Sequence, residues 1–291
     1  MKGLYTAIVT PFSDDGSIDY AASAKLLDRQ MDAGVSGLIV GGTTGEAATL
    51  SAEEKIDFYS FVKDRAGTLD LVAGTGSNNT EESVKLTEKV LETGYKKILA
   101  VTPYYNKPSC AGLHRHYKAL AETGAEVVLY NVPGRTSLNV SPGCLARMTD
   151  IEGITAVKEA SGDISQLVDY LDKTGMNRFD FLSGDDSTAT AFIAAGGKGL
   201  ISVFSNVMPE YGVEMINAAL EGDVQKAAKM QVRLNRFCQT MFLETNPLPV
   251  KTSLSMMGLC SEKFRAPLAC MEKKNKDILR TVLEDYDLLK N

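Results

Sequence analysis

Histidine is nearly absent from this chain: the 291 residues hold only His114 and His116. They stand two apart in GLHRHYKAL, and on a helix that spacing turns them to different faces, so they make a poor metal pair. A zinc-dependent site is hard to build from such a sequence, and no metal is expected. Clustered positive charge is also missing. With 31 basic against 37 acidic residues and a net charge of −6, nucleic acid is an improbable partner. No apolar run approaches the roughly 20 residues of a membrane span. The GTGSNN turn at 74–79 lacks GxGxxG spacing, which discounts a dinucleotide site. The first ten residues, MKGLYTAIVT, have no small-residue cleavage site behind them and read as a first strand, not as a signal peptide. The five cysteines (Cys110, Cys144, Cys238, Cys260, Cys270) are odd in number and show no CxxC spacing. That pattern predicts free thiols in a reducing cytoplasm and no disulfide framework.

What is present is ordinary in bulk and regular in detail. Hydrophobic residues make up 44% and charged residues 23%, as in other globular proteins. Eight short apolar runs recur: YTAIVT (5–10), GLIVG (37–41), DLVAGT (70–75), KILAVT (97–102), EVVLYN (126–131), ITAVKE (154–159), FDFLSG (179–184) and KGLISV (198–203). Most alternate with stretches of helical period. SAEEKIDFYSFVKDRAG opens with Ser51 and Glu54 in capping-box spacing, and NTEESVKLTEKVLETG does the same with Asn79 and Glu82. SPGCLARM places Pro142 at the favoured first helical position. Eight near-continuous apolar strands, each followed by a helix, predict a parallel sheet buried on both faces. Closed on itself, that sheet is a (β/α)8 barrel; an open doubly wound sheet is the alternative, and eight unbroken units favour closure. After Ser202 the pattern turns helical. The expectation is a catalytic barrel over 1–224 and a C-terminal helical region over 225–291, packed on the barrel with no low-complexity linker between them.

Chemistry in such a barrel gathers where strands end at the C-terminal face. Read in order, those ends are GGTTGE (41–46), TPYYNKP (102–108), YNVPGRT (130–136), Lys158 within VKEASGD, SGDD (183–186) and ISVFSN (201–206). Each also has a plain structural reading. GGTTGE serves equally as a tight turn that caps the next helix. The tyrosines serve as packing residues, Arg135 as a surface charge, and Asp185 and Asp186 as a helix N-cap in preference to a cation site. Lys158 is the decisive residue. At the end of an apolar strand it either snorkels to water or sits half-dry with a lowered pKa, able to attack a carbonyl as a free amine. Hydroxyls, one lysine and one arginine converging on a common mouth favour the second reading.

GTTGE, TPYYNKP, YNVPGRT, VKEASGD, SGDD and ETNPLPVK, in that order and at those intervals, resemble the dihydrodipicolinate synthase family of class I pyruvate-dependent lyases. The likeness covers essentially the whole chain. It implies condensation of pyruvate with L-aspartate 4-semialdehyde to 4-hydroxy-tetrahydrodipicolinate, on the diaminopimelate route to lysine, in the cytoplasm and with no cofactor. Lys158 would carry the Schiff base. Tyr130, Thr43 and Tyr105 would form a hydroxyl relay, with Tyr105 supplied across a dimer interface inside a homotetramer built as a dimer of dimers. Thr44 would bind the pyruvate carboxylate and Arg135 that of the aldehyde, while Gly184 and Ile201 would present backbone groups near the lysine. Two rivals stay open: a sister aldolase acting on sialic acid or a 2-keto-3-deoxy sugar acid, and a barrel retained as a ligand-responsive regulator.

The resemblance also implies an effector cleft for lysine, in degenerate form. Asn78, Glu82 and Tyr104 match lysine-inhibited members. Ala47, Ala52 and Lys55 stand where those members carry a serine and two histidines. Lost hydrogen bonds and one like charge predict weak or absent inhibition by lysine.

Overall fold

The computed structural model describes residues 1–289. Eight parallel strands close into a barrel in sequence order: β1 (Gly3–Ala7), β2 (Gly37–Val40), β3 (Asp70–Gly74), β4 (Lys97–Val101), β5 (Glu126–Asn131), β6 (Ile154–Glu159), β7 (Asp180–Ser183) and β8 (Gly199–Ser202). The predicted closure is what forms. The seam between β8 and β1 pairs Gly3 with Gly199, and a Cβ on Gly199 would stand 2.1 Å from the Gly3 carbonyl oxygen. Only glycine fits there. The first strand starts two residues earlier than its apolar run suggests. Ile8 to Phe12 lie beyond the strand and stay buried.

Helices cover the outer face: α1 (Tyr20–Asp32), α2 (Ala52–Arg65), α3 (Thr80–Glu92), α4 (Cys110–Ala121), the short α5 (Pro133–Thr136) and α6 (Pro142–Ala146), then α7 (Ile164–Thr174), α8 (Ala189–Ala194) and α9 (Pro209–Leu220). Their ends follow local chemistry. Ser51 and Glu54 form the reciprocal capping box expected for α2. Asn79 caps α3 with its side chain alone, accepting from the Glu81 and Glu82 N–H groups. Pro142 sits inside α6 behind the Ser141 cap. Beyond the barrel, α10 (Val224–Thr240) packs on α8 and α9, and α12 (Lys273–Asp285) packs on α10 and on α11 (Leu248–Met256).

Two cores result. The larger fills the space between strands and helices. The smaller lies inside the barrel, where Tyr5, Val72, Val128, Ala156, Leu182 and Ile201 interdigitate. Below them the Tyr5 hydroxyl donates to Asp70 at 2.8 Å, Lys97 pairs with the same carboxylate at 2.8 Å, and the Met1 ammonium pairs with Asp180.

A bulge on β6 decides which way the lysine faces. Val127 pairs with Ile154, both packed outward, but Val128 pairs with Ala156, so Thr155 is an extra residue on β6. Side chains alternate along a strand, and without the insertion Ala156 and Lys158 would share the outward side of Ile154. The bulge resets the alternation, and both turn inward.

The expectation of five free thiols is corrected. Cys110, at the start of α4, and Cys144, in α6, are joined as a disulfide with Cα atoms 5.6 Å apart. Thirty-four residues separate them in sequence, and only the docking of those two helix starts brings them together. Cys238, Cys260 and Cys270 are free.

Candidate active site

Lys158, one residue before the end of β6, faces the barrel interior, 6% exposed, and its partner in the ladder is Tyr130 on β5. Its Nζ lies 4.3 Å from the centroid of the Tyr130 ring. Burial pushes the amine from 10.5 down to about 8, the Asp186 charge opposes that fall, and Arg135 adds to it. Desolvation wins, so an appreciable share of the amine is neutral near physiological pH. Burial pushes the Tyr130 phenol the other way, up to about 12, against the pull of Arg135 and Thr43. The phenol therefore keeps its proton and can give it away. Gly184, after β7, clears room for the amine. A Cβ there would meet the Ala160 Cβ at 2.7 Å and the Lys158 Cε at 3.0 Å.

Above this pair opens a cavity of about 470 Å³ whose wall includes Thr43, Thr44, Tyr130, Arg135, Lys158 and Gly184. Arg135, on α5, is exposed at the mouth and donates through Nη2 to the Asn246 carbonyl at 3.1 Å. The Asn246 amide in turn donates to the Thr44 hydroxyl at 2.9 Å. The sequence offered ETNPLPVK only as a family marker. In the fold its asparagine links the two groups that suit carboxylates, one at the cavity wall and one at its mouth.

Of the other strand-end residues, some line this cavity and some do not. Ile201 is buried among the barrel-interior side chains, and Val203 is the residue of that segment in the cavity wall. Tyr105 is 89% exposed, with φ of 72°, and takes no part in this cavity. Tyr104 is also exposed, and the backbone carbonyl of Asn78 accepts from the Asn106 amide at 2.8 Å, while Glu82 is exposed on α3. Lys55 is partly buried, which lowers its pKa. The acidic pair divides its roles. Asp185 caps the short turn after β7, as expected, by accepting from the Ser187 N–H. Asp186 does not: it is buried, accepts from the Val203 and Phe204 N–H groups at 3.1 and 3.0 Å, and burial pushes its carboxyl up to about 6. The DD doublet carries no sign of which aspartate turns inward. His116 bonds to Thr80 and His114 to Asp150. Among the described residues no cluster of side chains suits a metal ion.

A lysine whose pKa burial lowers, facing a protonated phenol at the C-terminal mouth of a (β/α)8 barrel, makes a site suited to attack on a carbonyl through an amine. The chain belongs to the dihydrodipicolinate synthetase family, whose sequence pattern it matches over residues 1–286. It is 43% identical to the 4-hydroxy-tetrahydrodipicolinate synthase of Idiomarina loihiensis, with 99% of this chain and 98% of that protein covered. The crystal structure of dihydrodipicolinate synthase from Aquifex aeolicus superposes with a TM-score of 0.96 at 40% identity, covering all of both chains. A chloride-inhibited dihydrodipicolinate synthase from Acinetobacter baumannii, solved in complex with pyruvate, superposes with a TM-score of 0.96 at 36% identity over 99% of each chain.

Proposed function

We propose that this site condenses pyruvate with L-aspartate 4-semialdehyde to give 4-hydroxy-tetrahydrodipicolinate, with Lys158 as the nucleophile. The observation that carries the reading is Lys158 itself, buried, lowered to about 8, and set 4.3 Å from the Tyr130 ring. Its neutral amine adds to the ketone carbon of pyruvate, and loss of water leaves a protonated Schiff base. The iminium draws electrons, so a methyl proton departs and an enamine forms. The enamine carbon then attacks the aldehyde, whose oxygen takes up a proton to become the 4-hydroxyl. Finally the amino group of the aspartate semialdehyde portion adds to the iminium carbon and expels Lys158, closing the ring. One water is released overall, and the lysine returns unchanged.

Tyr130 is the proton carrier in this scheme. Its phenol is protonated at neutral pH, so it acts without bringing a net charge into a dry pocket. Thr43 and Thr44 offer hydroxyls in the cavity wall, suited to the keto-acid carboxylate. Arg135, exposed at the mouth, suits the carboxylate of the incoming aldehyde. Gly184 gives the amine its space, and Ile201 backs the barrel interior beneath. Tyr105 completes the relay only if a neighbouring subunit supplies it. Its exposure and left-handed backbone support that role, within a homotetramer assembled as a dimer of dimers. The C-terminal region expected over 225–291 is then, as far as it is described, an extension packed on the barrel, with Asn246, just before α11, in the wall of the site. Asn78, Glu82 and Tyr104 are what remains of an effector cleft for lysine, and the site needs no cofactor. No described helix is long and apolar enough to cross a membrane, which suits the proposed cytoplasmic setting.

Borohydride reduction in the presence of pyruvate, with mass mapping of the peptides, tests the scheme. The expected product is a single adduct on Lys158. An adduct on another lysine, with Lys158 unmodified, overturns the assignment.

A further inference from the structure

The GTTGE turn ends in a glutamate that the reaction scheme does not use. Glu46 is buried with φ of 52°, a left-handed backbone that a side chain makes unfavourable. Its Oε1 accepts from Lys251 Nζ at 2.6 Å, with both side chains at most 1% exposed. The Lys251 ammonium also lies 4.1 Å from the Phe12 ring centroid and 5.2 Å from that of Phe264, which leaves it no route to water. The second carboxylate oxygen of Glu46 accepts from the Arg265 backbone N–H at 3.2 Å. The turn is held from below as well, where the Thr10 hydroxyl donates to the Gly45 carbonyl at 2.8 Å.

Lys251 belongs to α11, the helix that Asn246 precedes by two residues. The C-terminal region therefore grips one turn at two points: Asn246 on the Thr44 hydroxyl and Lys251 on the Glu46 carboxylate, two residues apart on the turn. A buried ion pair is a poor source of stability, because desolvation offsets most of the attraction and apolar side chains of similar volume serve as well. It does fix geometry. We propose that Glu46 and Lys251 are positioning residues that hold the Thr44 hydroxyl and its turn in register to receive the carboxylate of the keto acid. The inference rests on the reading of Thr44 given above. It assigns substrate selection in part to a helix outside the eight barrel units.

Trapping on Lys158 with two ketones tests it: pyruvate, and hydroxyacetone, which lacks the carboxylate. Wild-type protein that traps neither ketone overturns the underlying scheme and not the clamp. In Glu46→Asp, which keeps the charge but shortens its reach, half-saturation by pyruvate should rise about tenfold, the worth of one charge-assisted hydrogen bond. Hydroxyacetone trapping should change less than about twofold, since it uses the amine and not the turn. Glu46→Gln/Lys251→Met, which keeps volume and removes both charges, should show the same selective loss with a circular-dichroism spectrum like that of wild type. Equal losses on both ketones, in either folded variant, would make the pair merely structural. Unchanged pyruvate half-saturation in Glu46→Asp would also overturn the inference.

Discussion

Lys158 offers a test in which activity and stability must move in opposite directions. A fall from 10.5 to about 8 is worth about 3 kcal/mol in favour of the neutral amine. At pH 7 that shift raises the free-base share from about 0.03% to about 10%, a gain of about 300-fold in nucleophile. Single-turnover trapping of pyruvate should accordingly climb about tenfold per pH unit below 8 and level off above it. Asp186→Asn removes the charge that opposes the fall and should move the inflection to lower pH. The same shift is a folding cost. Between about 8 and 10.5 the unfolded chain keeps a proton that the folded chain has released, so stability rises with pH across that window. Below it the folded state carries the whole penalty. Lys158→Met fills the same space without a charge and should be stabilised at pH 7 by up to about 3 kcal/mol, read as a higher melting temperature, while trapping disappears. A trapping rate that keeps climbing to pH 10, or a Lys158→Met protein that melts below wild type, would refute the account of a lysine held against its charge.

Gly184→Ala places a methyl 3.0 Å from the Lys158 Cε and 2.7 Å from the Ala160 Cβ. It should slow Schiff-base formation at least tenfold while the far-UV spectrum stays that of wild type; full-speed trapping would show that the amine does not need this space. Arg135→Ala should reduce use of aspartate semialdehyde by the equivalent of about 2–4 kcal/mol and leave pyruvate trapping nearly intact, and equal losses would make the arginine structural. Lysine should inhibit weakly or not at all, since Ala47 and Ala52 offer no side-chain hydrogen bonds; half-inhibition at sub-millimolar lysine in a titration would overturn that expectation.

The parts of the molecule visible in the sequence are those fixed locally. EVVLYN and ITAVKE coincide with β5 and β6 to the residue, because each is apolar on both faces and bounded by turn chemistry. Ser51 and Glu54 announced the start of α2, a contact three residues long. What the sequence hid depends on distant partners. The disulfide joins residues on two helices that only the fold sets side by side. Glu46 looked like part of a cap, and its partner Lys251 lies 205 residues on. Asp186 looked like its neighbour Asp185 until the β8 end supplied two N–H groups to one of them. The bulge at Thr155, which turns Lys158 inward, leaves no mark in ITAVKE, since Ile, Ala and Val suit either side. The lysine itself was legible as a candidate, and its depth was not.

The side chains packed inside the barrel have a consequence for the order of events. Tyr5, Val72, Val128, Ala156 and Leu182 fill the space beneath Lys158, so the cavity has a mouth and no back door. In the proposed scheme keto acid, aldehyde, released water and ring product all pass the same opening, one behind another. A loosely held first substrate would drift out as the second arrived. Tethering it to the floor by a covalent bond removes that conflict, and ring closure, which cuts the tether, becomes the signal that clears the passage for the next molecule.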